Sequence, residues 1–266
     1  MKKILCLILA VMMVIACFAG CQSEGTKAES DYEYVKKKGT LIVGITDFAP
    51  MDYTDDNGEW IGFDADLAKA FAKELGVDVK FQLIDWNSKE MELDGKTIDV
   101  VWNGMTLTDA VKNKMSTSNP YCNNQQVVVV KKEVAENYKT LESLKTLKFA
   151  VEEGSAGQEQ VAAIDGAKYV TVLDQATALT EVVSGTADAA VIDLLMASAM
   201  LGEGTGFEGL TYTIGLNDEE YGVGFRKGSD LTAKLNEFFK KAYADGTMEE
   251  LANLYNIDTA VIIPQK

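Results

Sequence analysis

The chain has 266 residues, 47 % hydrophobic and 25 % charged, enough for one large or two smaller globular units with a real core. Its 41 acidic against 25 basic residues give a formal net charge of −16, and no basic stripe with interleaved aromatics offsets it, which argues against a nucleic-acid partner. Histidine is absent, which removes His-dependent acid–base triads and most catalytic zinc sites.

Met1-Lys2-Lys3 is a short basic start, Ile4 to Phe18 is almost wholly apolar, and Ala19-Gly20-Cys21 follows. That layout predicts a secretory signal over 1–20, and the apolar run falls short of the ~20 residues of a transmembrane helix. Phe18-Ala19-Gly20-Cys21 resembles a bacterial lipobox, whose cysteine is diacylated and becomes the new N-terminus; Val14-Ile15-Ala16-Cys17 is a poorer rival. Lipid on Cys21 would then hold the protein at the outer face of the cell membrane, with 21–30 as a flexible polar tether. After processing only Cys122 is left in the body, so no intrachain disulfide can form, and Cys122 reads as a buried, inert thiol.

The body alternates strand and helix. Leu41 to Ile45 is a short apolar strand. Phe63, Leu67, Ala70, Phe71 and Leu75 follow helical spacing, and Gly76 stands where a C-terminal cap belongs. Val77 to Ile84 alternates as a strand, and Ile98 to Trp102 is a third. The pattern then restarts. Strands are predicted at Gln126 to Val130, Phe149 to Val151, Tyr169 to Leu173 and Ala189 to Ile192. Helices are predicted at Gln158 to Ile164, Ala176 to Ser184 and Leu194 to Leu201. Tyr221 to Arg226 is a further strand, and two amphipathic helices, Leu231 to Ala244 and Met248 to Tyr255, close the chain. Two α/β units in one short chain predict a cleft between them, with ligand beyond the carboxyl ends of the strands.

Several stretches resemble the bacterial polar amino-acid-binding proteins that serve ABC importers. Gly39-Thr40-Leu41-Ile42-Val43-Gly44 is similar to the first strand. Gly58-Glu59-Trp60-Ile61-Gly62-Phe63-Asp64-Ala65-Asp66-Leu67-Ala68-Lys69-Ala70 resembles the signature G-x-x-x-G-F-D-x-D-L-A-x-A. Gly95 to Val100 with Asn103-Gly104-Met105-Thr106-Leu107-Thr108 resembles a strand and its binding loop. Ser118-Asn119-Pro120-Tyr121 resembles the S-[DN]-P-Y element before the first crossover, and Tyr221 to Gly228 resembles the return strand. The resemblance runs from Gly39 to about Ile257. It implies a two-lobed periplasmic-binding-protein-like α/β fold of type II, joined by two hinge strands. Lobe 1 would be 31–126 plus 219–266, and lobe 2 would be 127–218.

The resemblance also implies a site. Asp193 matches the acid that takes a ligand ammonium, against the plainer role of a helix N-cap. Asn103, Gly104 and Thr106 fall at the binding loop. Phe48 falls where an aromatic lies on the ligand, and Gly154, Ser155 and Ala156 fall at a lobe-2 loop opening a helix, suited to a carboxylate. Asp47, Asp52, Trp86 and Trp102 are candidates for side-chain selectivity. One departure stands out: the family's carboxylate-clamping arginine is replaced by Val111. A carboxylate would then be held by backbone N–H groups alone or by another cation, or the ligand is not an ordinary α-amino acid. No cofactor, metal or catalytic group is called for. The expected partners are a small polar solute and the permease subunits, with the protein acting as a monomer. The competing readings are a cleft enzyme related to cyclohexadienyl dehydratase and a ligand-sensing extracytoplasmic domain.

Overall fold

The computed structural model describes residues 30–262, so the signal, Cys21 and almost all of the tether lie outside the described residues. Helix α1 (Asp31–Lys38) leads into β1 (Thr40–Ile45), a two-stranded hairpin of β2 (Tyr53–Thr54) and β3 (Trp60–Ile61), and α2 (Phe63–Leu75). The spaced apolar residues of α2 place Phe63, Leu67 and Phe71 in the core, and Gly76 ends it by donating to the carbonyls of Ala72 and Lys73. β4 (Asp78–Leu83), a 3-10 turn at Trp86–Ser88, α3 (Lys89–Asp94), β5 (Val100–Thr106), α4 (Asp109–Lys114), β6 (Ser116–Thr117) and β7 (Cys122–Asn124) follow.

β8 (Gln126–Lys131) starts the second sheet. It continues through α5 (Leu141–Leu144), β9 (Lys148–Glu152), α6 (Ala156–Ala162), β10 (Lys168–Val172), α7 (Gln175–Ser184), β11 (Ala189–Asp193), α8 (Leu194–Met200) and β12 (Leu210–Gly215). The chain then returns as β13 (Glu219–Phe225) and ends in α9 (Leu231–Asp245) and α10 (Thr247–Leu254).

The first sheet has the order β4-β1-β5-β13-β6, with β7 also on β13; β1 runs parallel to β4 and β5, and β13 antiparallel to β5. The second has the order β10-β9-β11-β8-β12, with β9 parallel to β10 and β11, and β8 antiparallel to β11 and β12. The molecule is therefore two-lobed. The chain passes between sheets twice, at 124–126 and 215–219. Each lobe has its own core. Phe71, Trp102, Tyr121 and Phe239 interlock in the first. In the second, the run Val127 to Val130 alternates: Val127 and Val129 pack on the α7 face, Val128 and Val130 on the face of α5 and α6.

Several short or weakly patterned elements were not visible in the sequence pattern, among them α1, β12 and the β2–β3 hairpin. α1 has low mean hydropathy and buries one apolar side chain, Val35. β12 is an edge strand of mixed burial. The β2–β3 hairpin is two residues a side.

Candidate solute-binding cleft

A cavity of about 230 Å³ lies where the carboxyl ends of β1, β5, β9 and β11 converge. This is the place where an open α/β sheet offers backbone groups to a ligand. Phe48, Trp86, Asn103, Gly104 and Thr106 line it from the first lobe, and Gly154, Ser155, Ala156 and Asp193 from the second. Asn103, Gly104 and Thr106 belong to the end of β5 rather than to a loop.

Each of these groups is held by a neighbour. Gly104 has φ +53°, and a Cβ there would lie 2.3 Å from Phe48 Cε1, so only glycine lets the ring pack against the backbone. Its N–H donates to Asp64 Oδ2 at 2.7 Å, and Tyr121 Oη donates to the same oxygen at 2.7 Å. Burial raises the Asp64 carboxyl to about 7, against the pull of those two donors. Asn103 is tied up within its own lobe: its Oδ1 accepts from Thr46 N and Oγ1, and its Nδ2 donates to Thr46 O and Asp52 Oδ2. Ser155 caps α6, accepting from Gln158 N at 3.1 Å and donating to Glu152 O at 2.8 Å.

Asp193 is 4 % exposed at the end of β11. Asn124, Gln126 and Tyr221 donate to Oδ1 at 2.6, 3.0 and 2.6 Å, and Gln175 donates to Oδ2 at 2.5 Å. Its side chain makes no N-cap bond to α8. Burial, then the nearby charge of Glu219, raises its carboxyl to about 7 in spite of those donors. Donors from both passages between the sheets thus reach Asp193: Asn124 and Gln126 in the first, and Tyr221 in β13, just past the second.

Three selectivity candidates do not reach the cavity. Asp47 is exposed, with its carboxyl raised by partial burial and by Asp174 opposite. Asp52 is fully buried beneath Asn103, and Trp102 is fully buried among Phe71 and Phe239. In β5 the side chains alternate, so Trp102 points into the core while Asn103 faces the cleft.

Four charged residues that the sequence pattern did not single out also line the cavity, Lys89, Glu90, Glu152 and Glu159, and two of them, Glu152 and Lys89, are buried. Glu152 ends β9, is 3 % exposed, and its Oε1 has no hydrogen-bond partner. Burial and the Asp193 charge raise its carboxyl to about 8, opposed by Gln175 and Lys89. Lys89 opens α3, is 7 % exposed, lies 4.7 Å from the centre of the Trp86 ring, and donates across the cleft to Gly154 O at 3.0 Å. Burial lowers its pKa, and Glu152 and Glu90 oppose that. An acid at the end of an apolar strand was a readable signal for Glu152; Lys89 had none.

The profile of the bacterial extracellular solute-binding proteins, family 3, matches residues 41–257. The chain belongs to that family. An L-cystine-binding protein of Escherichia coli strain K12 is 30 % identical over 244 residues, 91 % of each chain. Among solved structures, a substrate-binding protein of an ABC uptake transporter from Streptococcus pneumoniae with bound histidine has a TM-score of 0.79 at 30 % identity, covering 87 % of this chain and 98 % of that one. An ancestral amino acid-binding protein, described as a precursor of cyclohexadienyl dehydratase, has a TM-score of 0.78 at 35 % identity, covering 85 % of this chain and 99 % of its own. This family 3 protein is a solute-binding protein of the type II periplasmic-binding fold. No helix among the described residues is long and apolar enough to cross a membrane.

Proposed function

We propose that this family 3 protein captures an amino acid, or a related small polar solute with an ammonium group, and delivers it to an ABC permease without changing it. Asp193 carries the reading: a buried carboxylate at a strand end, facing a cavity of solute size between two lobes. Phe48 and Gly104 form the floor, and Thr106, Gly154, Ser155 and Ala156 complete the wall. Relatives that bind L-cystine or histidine support this class of solute.

The lobes divide as 31–126 plus 219–266 and 127–218, with the crossovers as hinge strands. Sheet membership supports that division, since β13 rejoins the first sheet after β12 ends the second. The protein works as a monomer tethered by lipid on Cys21. Fatty-acid labelling in vivo should be lost in Cys21→Ala.

Thermal unfolding against a panel of amino acids and amines tests solute binding. A solute at a hundred times its Kd adds about 2.7 kcal/mol, which moves the midpoint by several degrees. That shift should vanish in Asp193→Ala, and the bound solute should be recovered unchanged. Turnover would instead favour an enzyme related to the dehydratase.

A further inference from the structure

The solute class can be narrowed on the reading that this cleft is the solute site. A ligand carboxylate needs N–H or O–H donors, and a ligand cation needs acceptors. Most donors in the cleft are already spent. Both N–H groups of Asn103 go to Thr46 and Asp52, and those of Gln126 go to Asp193 and Glu219. The hydroxyls of Thr46, Thr106 and Ser155 donate to Asn103, Glu219 and the Glu152 carbonyl. Val111 contributes only hydrocarbon.

Among the described residues Lys89 is the one cation lining the cavity, which also carries Glu90, Glu152, Glu159 and Asp193. Two of its three N–H bonds go to Trp86 O and Gly154 O. The side-chain donors left over, its third N–H, the Thr108 hydroxyl and the Asn87 amide, all belong to the first lobe. Acceptor capacity stands unspent in the second. Glu152 Oε1 is buried without a partner, and Asp193 Oδ2 accepts only from Gln175. A carboxylate would add negative charge to a wall where Glu90 and Glu159 already outnumber Lys89, and it would find few free side-chain donors there. A cationic nitrogen would supply what the wall lacks.

We propose that the solute is a compact organic cation without a free carboxylate, whose N–H groups bridge Asp193 and Glu152. Glu152 is then a specificity-determining residue. Val111 is the hydrocarbon counterpart of that choice: an arginine clamp would serve no group of the ligand.

Calorimetric titration with two matched pairs tests this: agmatine against L-arginine, and cadaverine against L-lysine. Within a pair the compounds differ by one carboxylate. In at least one pair the amine should bind about tenfold or more tighter than its amino acid. Glu152→Gln should lower amine affinity about tenfold while leaving the amino acid within about twofold. A tighter amino acid in both pairs, or a preference untouched by Glu152→Gln, overturns the proposal. If neither pair binds but a neutral zwitterion such as L-glutamine does, the solute receptor stands and the cationic solute falls. If no amine or amino acid binds, both fall. Should Glu152→Gln fail to fold, the matched pairs on the unaltered protein still decide between amine and amino acid.

Discussion

Three buried carboxyls, Asp64, Glu152 and Asp193, sit at about 7, 8 and 7, each raised first by loss of water. In the unfolded chain such groups ionise near 4. Between about pH 4 and pH 8 the folded state therefore holds protons that the unfolded state has released, so stability falls as pH rises through that window. Glu152 faces Asp193 and Asp174, which raise its carboxyl, and Lys89, which lowers it. Glu152→Gln removes one of the titrating groups. The thermal midpoint of the solute-free protein should fall between pH 5 and pH 8, and Glu152→Gln should fall less steeply over the same range.

At the scale of elements, α1 is fastened by charge. Arg226, just beyond β13, holds Asp31 at 2.9 Å and donates to the carbonyls of Leu93 and Ile98. Arg226 is 8 % exposed, and Asp31 and Asp99 beside it are 7 % and 0 % exposed. Arg226→Met would leave the buried Asp31 uncompensated, while Asp99 keeps Lys38 at 2.6 Å, so it should cost about 3–5 kcal/mol in denaturant unfolding. Solute affinity of the folded fraction should not change. This tie also explains why α1 was illegible in the sequence. Its apolar pattern is weak, and its main anchor is an ion pair 195 residues away. The strands and long helices were legible because burial imposes a period of 2 or 3.6 on their side chains. Asp193, Phe48 and Gly104 were reachable through motif positions. Trp102 misled because its neighbours, not its place in the motif, turn it inward. Lys89 was invisible because its role depends on Gly154, which the fold alone brings near.

For the whole molecule, Gly154 is where the lobes meet. It has φ +74°, and a Cβ on it would lie 2.9 Å from Asn87 Cα. Gly154→Ala should therefore hold the lobes apart. Its backbone strain should cost about 1–2 kcal/mol of stability, while solute affinity drops about tenfold or more in titration. Asp193 adds a second link between cleft and hinge, because residues in or next to both crossovers donate to it. A cation that draws on Asp193 alters the partners of the segments that bend.

The bond from Lys89 to Gly154 joins the two lobes across the cavity, and it sets a clock. A solute cannot leave until that contact parts, so departure is timed by the opening of the protein. The same opening limits arrival: once solute is plentiful, adding more no longer speeds capture, and the rate levels off at the frequency of opening. Whatever tightens this contact lengthens the solute's stay and slows each delivery.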